Sequence, residues 1–484
     1  MIAAMRTSFL ALVAGLLLAA PTLAGAQGAG GGATPPDSGA PTGGAPPVGA
    51  SGTTAGQTAP DSTASAELQR FLAPLAGYPS LRASAESVAS AKAALHAAYD
   101  PVSLQASGGY SHFDNNPVDT DPVTPGVQPL PANGGQISAD VTLRPWLFGD
   151  TADQANKSRI QLQQAQLDYD DALTGLQAQA VQAAYGVQLA RESLASARQG
   201  EQVSQAALDA TRLRASKGAA SDRDLRSAET GLEQAKQYVA NAQGSLSVAQ
   251  ATLQSLVGGA TPPDVEALSL AVPDGTALSV QKARLSAELA GVSVANATRS
   301  VYPVVQAGYT WNVDNKDSVG VSIDSRTLQP KVSYDFQTPG TAFPQNQING
   351  SFQIGVSVTI SPGVLDGLDA TRAQLRAARD GVDAAQTGAG VQKASLDNDL
   401  AQARRALALA QRKVSDAQTT LQEDQSRQAL GLGTPLETQQ AALDLTQARL
   451  DLQQARQDVL AKTLAYYRFY AKPLVPQPVS EVRP

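Results

Sequence analysis

The chain contains no cysteine among its 484 residues. That absence removes disulfides, thiolate metal sites, cysteine nucleophiles and a lipidated N-terminal cysteine together. Only two histidines are present, His96 and His112. A change from helical to strand periodicity separates them and no HExxH-like spacing accompanies them, so both read as ordinary structural residues. No glycine-rich loop follows a strand and opens a helix in the manner a nucleotide requires. Aromatics make up 5% of the chain and charged residues 16%. With few bulky side chains and abundant alanine, helices are expected to pack closely through small residues rather than around a large globular core. The net charge of −7 includes no basic block for nucleic acid. Neither catalytic residues, a metal nor a cofactor is expected, and the chain does not read as an enzyme. Beyond the N-terminus no apolar run is long enough for a transmembrane helix. Any membrane entry must then use a closed β-barrel, the other backbone arrangement that satisfies its polar groups in lipid.

What is present begins with Arg6, the apolar run Phe9 to Ala20 and the small residues Ala24-Gly25-Ala26. These are the n-, h- and c-regions of a secretory signal over 1–26. An uncleaved anchor fits less well, because the run is shorter than the roughly 20 residues a span requires. Residues 27–66 are rich in Gly, Pro, Ala, Ser and Thr and nearly devoid of large apolar side chains. Such a leader cannot bury enough surface to offset its ordering entropy.

The remainder is dominated by heptads. Leu225, Leu232, Val239, Leu246 and Leu253 recur every seven residues, with Ala228, Ala235, Ala242 and Ala249 three places behind, which is an a/d seam. The pattern returns 213 positions later: Gly431, Thr434, Ala441, Leu445 and Ala448 stand against Gly218, Ser221, Ala228, Leu232 and Ala235. The chain is an internal duplication, with a first repeat over 67–258, a Gly/Pro linker over 259–277, a second repeat over 278–472 and a disordered tail over 473–484. An earlier helix carries Tyr169, Leu176, Leu173, Ala180, Val187 and Leu194 in two registers and runs to about Lys217. At 1.5 Å per residue it is roughly 100 Å long.

Each repeat inserts strands before its long helices. Val102, Leu104, Ala106 and Tyr110 alternate with small or polar residues, as do Ile137, Ala139, Val141 and Leu143, across a polar loop containing Asp114, Asp119 and Asp121. Without a calcium-loop spacing, those acids read as a solvated cap. Pro145 stops the return strand, and Thr151 or Asp150 is the expected helix cap. In the second repeat Val305, Ala307, Tyr309 and Trp311 alternate, as do Phe352, Ile354, Val356 and Val358, with Pro362 as the exit. Between these, Val319 to Ile323 and Val332 to Phe336 also alternate. They predict an added hairpin that either lengthens a barrel or forms an external cap. Four strands per chain cannot close a barrel, since about eight is the least that fills one, so oligomerisation is required.

Two copies of helix, strand, long loop, strand, Pro-turn, long helix, Gly-tip and long helix resemble the TolC-like outer membrane efflux proteins from Glu67 to Lys472. The residues that carry the resemblance are the strand exits Leu143-Arg144-Pro145-Trp146-Leu147-Phe148-Gly149 and Ile360-Ser361-Pro362. With them go the tips Lys217-Gly218-Ala219-Ala220-Ser221-Asp222-Arg223-Asp224-Leu225 and Leu430-Gly431-Leu432-Gly433-Thr434-Pro435-Leu436-Glu437. The resemblance implies a mainly α protein with membrane β: a homotrimer whose coiled-coil hairpins form an α-barrel topped by a 12-stranded β-barrel, four strands per chain. Strand counting alone also allows a tetramer. The resemblance further implies a passive duct in the outer membrane lipid, with a periplasmic helical extension docking to a periplasmic adaptor and an inner-membrane transporter, for efflux or type I secretion. Gly218, Ser221, Gly431, Gly433 and Thr434 then sit at the docking tips, and Asp224 and Glu437 at the pore constriction. The glycines also suit helix C-caps, and the acids suit the positive end of a helix. A second acid often found three residues beyond the constriction acid is Gln440 here, which implies a weaker ring of charge. The alternatives are a periplasmic coiled-coil adaptor and a structural envelope tether. The duplicated strand hairpins count against both.

Overall fold

The computed structural model describes residues 62–112, 133–259, 270–313, 317–338, 350–359 and 361–477. The expected signal, most of the leader, the loop with Asp114, Asp119 and Asp121, part of the linker and residues 478–484 lie outside the described residues. The first repeat runs α1 (Ser62–Leu72), a 3-10 turn (Ala73–Gly77), α2 (Pro79–Ala98), β1 (Val102–His112), β2 (Asn133–Leu143), α3 (Asp150–Ser216) and α4 (Asp222–Val257). The second runs α5 (Leu278–Ser300), β3 (Val304–Asn312), β4 (Asp317–Asp324), β5 (Lys331–Thr338), β6 (Gly350–Ser357), α6 (Pro362–Ala429) and α7 (Pro435–Tyr470).

The heptad seams set the packing. On α4 every seam residue from Leu225 to Leu253 is at least partly covered, while most positions between them face outward. The seam of α6, Leu400, Ala403, Leu407, Ala410, Val414, Ala417 and Leu421, behaves in the same way. α3 packs on α4, α2, α5 and α7, whereas the principal partners of α6 are α7 and α5, and α4 pairs with α3. The four long helices therefore lie in the order α4, α3, α7, α6. The best-filled core sits under the first repeat, where Phe71, Leu72, Leu75 and Leu81 cover Leu173, Val181 and Leu464.

Four expectations need correction. Among the described residues the strands number six, not four, and form one antiparallel sheet in the order β1-β2-β5-β4-β3-β6. The added hairpin β4–β5 pairs with β2 on one side and β3 on the other. Counting four strands per chain failed because these two short runs satisfy the ladders of both neighbours instead of standing apart. The cap of α3 is Gly149, at φ 58°, rather than Asp150 or Thr151. Thr151 Oγ1 instead accepts from Phe148 N–H at 3.2 Å and donates to its carbonyl at 2.8 Å. Finally, residues 473–477 are held in place. Gln177, fully buried, donates to Val475 O at 2.7 Å and accepts from Val475 N–H at 3.3 Å, and Gln477 donates to Leu72 O at 3.0 Å. A buried carboxamide needs such partners, and the tail backbone supplies them. Helix α1 also starts at Ser62, inside the segment read as leader.

Candidate functional site

Two regions carry functional geometry, the hairpin tips and the sheet. At the first tip Gly218 adopts φ 70°, donating to Ala215 O at 2.9 Å, while Ala219 N–H donates to Arg214 O at 2.8 Å. At the second, Gly431 adopts φ 73° and donates to Gln428 O at 2.9 Å, while Leu432 N–H donates to Arg427 O at 2.9 Å. Both are Schellman turns, in which glycine takes the left-handed position without a Cβ penalty. The next helix then opens on a capping box in each repeat. Ser221 N–H donates to the Asp224 carboxylate at 2.9 Å and Asp224 N–H donates to Ser221 Oγ at 3.3 Å. Thr434 N–H donates to Glu437 at 2.8 Å and Glu437 N–H donates to Thr434 Oγ1 at 3.2 Å. The structure thus brings Ser221 and Thr434 onto Asp224 and Glu437, which complete their capping boxes, while Gly218, Gly431 and Gly433 shape the turns before them. The backbone N–H of Ser221, followed by its hydroxyl, holds the Asp224 carboxyl below the usual carboxylate range. Gly433 packs against the Arg427–Gln428 backbone, so a Cβ there would press on Gln428 N at 3.3 Å. Beside it Leu430 and Leu432 are 75% and 71% exposed, apolar side chains that the protomer leaves open.

Both tips lie at one end of the helices, because α3 and α7 run together: Thr446 Oγ1 bonds Gln199 Oε1 at 2.6 Å, and Ser196 bonds Gln447. A groove of about 590 Å³, lined by Ser196, Gly200, Ser204, Gly231 and Gln447, opens between α4 and α7 over this stretch.

The sheet has one apolar and one polar face, and its register proves them continuous. Leu104 opposes Val141, Val141 opposes Val332, Val332 opposes Val321, Val321 opposes Tyr309 and Tyr309 opposes Phe352. Directly paired residues share a face. The other face reads Gln105, Asp140, Ser333, Gly320, Thr310 and Ser351 along a parallel line. The apolar face is uncovered: Tyr110 is 74% exposed and Ile354 64%. Exposed aromatics flank it at both ends, with Tyr99, Trp146, Phe148 and Tyr302 toward the helices and Tyr110, Tyr309, Trp311 and Phe352 at the far end. These belts were missed in the sequence, although both tryptophans lie in them. The period-2 runs place one belt, and the exits after Ala98, Leu143 and Ser300 place the other.

The junction between sheet and helices was also missed. Arg299 at the end of α5 pairs with Asp153 and lies 3.8 Å from Asp150, and Arg326 in the β4–β5 turn lies 3.5 Å from Asp150. These partners come from distant sequence, so no local spacing announces them. Pro145 lies in the loop between β2 and α3, whereas Pro362 is the first residue of α6, where its missing N–H costs nothing and Ser361 caps the helix. In the 213-residue offset the counterpart of Pro362 is Gly149, not Pro145. His96 lies in the last turn of α2 and His112 ends β1. Among the described residues no helix is long and apolar enough to cross a membrane.

A family model described as outer membrane efflux protein matches residues 74–259 and 274–468. Among solved structures, the outer membrane protein VceC from the bacterial pathogen Vibrio cholerae is 16% identical, with a TM-score of 0.58 over 84% of this chain and 96% of that one. The Neisseria gonorrhoeae MtrE outer membrane channel, solved in its open state, is 15% identical, with a TM-score of 0.58 over 84% of this chain and 89% of that one. A membrane protein from Pseudomonas aeruginosa is 16% identical, with a TM-score of 0.59 over 84% and 90%. These likenesses concern the fold. No curated protein matches the chain.

Proposed function

The chain belongs to the outer membrane efflux protein family, and from that premise we propose that three copies form a passive export duct through the outer membrane. It is a transport protein and not an enzyme. The observation that carries the proposal is the sheet: apolar on one uncovered face, polar on the other, bounded by aromatic belts, and ending, among the described residues, in two unpaired edges, β1 and β6. Free edges cannot stay in hydrocarbon, so the sheet must close with further copies, apolar face to lipid and polar face to the lumen. The same copies bring the edge helices α4 and α6 together below the barrel and enclose the duct.

At the far end of the helices, Gly218, Ser221, Gly431, Gly433 and Thr434 form the tips that dock a periplasmic adaptor, with Leu430 and Leu432 as apolar anchors. The adaptor joins the duct to an inner-membrane pump that supplies the energy for efflux or type I secretion. Asp224 and Glu437, one turn into their helices and exposed, form the constriction at the periplasmic mouth. The test is native mass measurement of the detergent-extracted outer-membrane protein, paired with substrate sensitivity of a complemented deletion strain. A trimer that restores export is expected. A monodisperse monomer with its full β content overturns the proposal. Replacing Gly431 by valine should impair export at an unchanged trimer level, whereas loss of the trimer would return the tip to a purely structural role.

A further inference from the structure

We propose that the β4–β5 hairpin is an added section of membrane barrel wall, so that three copies close eighteen strands and form a wider exit than twelve would give. This rests on the trimeric duct proposed above and adds what the second repeat contributes to it.

Four observations converge. The first is position: β4 and β5 stand between β2 and β3, so the two halves of the sheet meet only through them. Adding strands in a pair is also the way to widen an antiparallel sheet while keeping every strand antiparallel to its neighbours and the edges unchanged. The second is amphipathicity in register. Val319, Val321 and Ile323 on β4, and Val332, Tyr334 and Phe336 on β5, fall on the apolar face of the neighbouring strands. Ser318, Gly320 and Ser322, with Lys331, Ser333 and Asp335, fall on the polar face. A cap standing in water would have no use for an apolar face, and a plug in the lumen would bring that face into the aqueous channel. A wall section needs this alternation.

The third observation is on the polar face, where Lys331 pairs with Asp140 of β2 at 3.0 Å. The hairpin thus adds Lys331 and Asp335 to the lumen surface, while Asp317, at the far end of β4 on the other face, is bound by the Tyr334 hydroxyl. The fourth is the seat of its inner turn. Asp324 accepts from Arg326 N–H at 2.8 Å, from Thr327 N–H at 2.9 Å and from the Thr327 hydroxyl at 2.7 Å, and Leu143 N–H donates to Pro330 O at 2.9 Å. A Cβ placed on Gly149 would lie 1.8 Å from Arg326 O, so this turn rests on the corner where β2 hands over to α3. The hairpin is anchored to the same frame as the other strands.

With strands about 4.8 Å apart and tilted ~40°, twelve close a barrel about 24 Å across between backbones, and eighteen one about 36 Å across. The second width belongs to the class of barrels that keep an aqueous channel.

The absence of cysteine makes single-site labelling unambiguous. Environment-sensitive fluorophores placed on purified trimers at Leu104→Cys and Ile354→Cys report the strands that any barrel requires, and those at Val321→Cys and Val332→Cys report the hairpin. In bilayers containing brominated lipid, quenching at all four positions is expected. Quenching at 104 and 354 alone overturns the inference and leaves the duct intact. Quenching at none overturns the barrel reading and this inference with it. As an independent check, the double variant Ser138→Cys/Asp335→Cys, which joins a directly paired β2–β5 position, should form an intrachain disulfide in the trimer. Failure to do so at an unchanged trimer level counts against a hairpin paired to β2.

Discussion

The two repeats place equivalent residues on equivalent helices and stabilise them in different ways. Shifting Ala184 and Leu253 by 213 gives Asp397 and Tyr466. In the first repeat both residues are apolar and belong to the core under α1 and α2. In the second, the buried Tyr466 donates its hydroxyl to Asp397 at 2.5 Å, and Lys393 pairs with the same carboxylate at 3.0 Å. Ala180, fully buried, likewise corresponds to Lys393, half exposed. The heptad register fixes where two helices touch, and the cover above them decides the chemistry of the contact. α1, α2 and the docked segment 473–477 roof the first repeat, so these positions are filled by apolar side chains. The second has α5 alone above α6, and it uses a polar clasp.

The largest effect that separates the repeats is expected at Leu173, which is 1% exposed beneath that roof. Leu173→Ala leaves a cavity and should cost about 3 to 4 kcal/mol. At its counterpart, exposed Gln386, the alanine change should stay within about 0.5 kcal/mol. Urea unfolding followed by helical circular dichroism measures both, and equal losses would remove the distinction between roofed and open repeats.

Next comes the strand-to-helix corner, Gly149 against Pro362. Gly149→Ala demands a left-handed alanine whose Cβ collides with the Arg326 carbonyl, on the order of 2 to 3 kcal/mol. Pro362→Ala, at an open helix start, should cost less than about 1 kcal/mol. Displacement of the β4–β5 turn should also expose Arg326 to trypsin in the Gly149 variant, and an unchanged digestion pattern would show that the turn does not rest there.

How much of this was readable follows from where each signal resides. Seams and tips lie within one helix or one turn, so Leu232, Gly218 and Thr434 announce themselves by spacing. The alternation of Val319 to Ile323 was legible too, but its place between β2 and β3 was not, because pairing partners are set by a register spanning nearly 200 residues of chain. The Gln177 clasp on the tail was hidden for the same reason: an isolated glutamine within a heptad helix has no local pattern. The tips are the one place where the repeats should respond alike. Ser221→Ala and Thr434→Ala each remove a capping box and should cost about 1 kcal/mol. Hydrogen exchange in the first turn of α4 and α7 reads the fraying, and a marked difference between the two would break the symmetry of the tips.

The smallest expected effect is also the most specific to the second repeat. Tyr466's hydrogen bond, followed by that of Lys393, holds the Asp397 carboxyl below its usual range. A carboxylate lowered in the folded state stabilises above its unfolded pKa, about 3.9, and loses that contribution as pH falls through the lowered value. Burial, followed by the bond to Asp397, pushes the Tyr466 hydroxyl up. Its contribution is accordingly complete below about pH 10 and is lost only as pH rises through the raised value. The clasp thus operates between those limits and weakens first on the acid side. Amides of α6 around Asp397 should lose protection as pH falls below about 4 more steeply than those of α3 around Ala184, where neither member of the equivalent pair titrates. Asp397→Asn and Tyr466→Phe should each flatten that difference, since the first removes the titrating carboxyl and the second the main bond that lowers it. If the wild type and Asp397→Asn lose protection along the same acid limb, the pair is a contact without linkage, and the second repeat draws its stability from the seam alone.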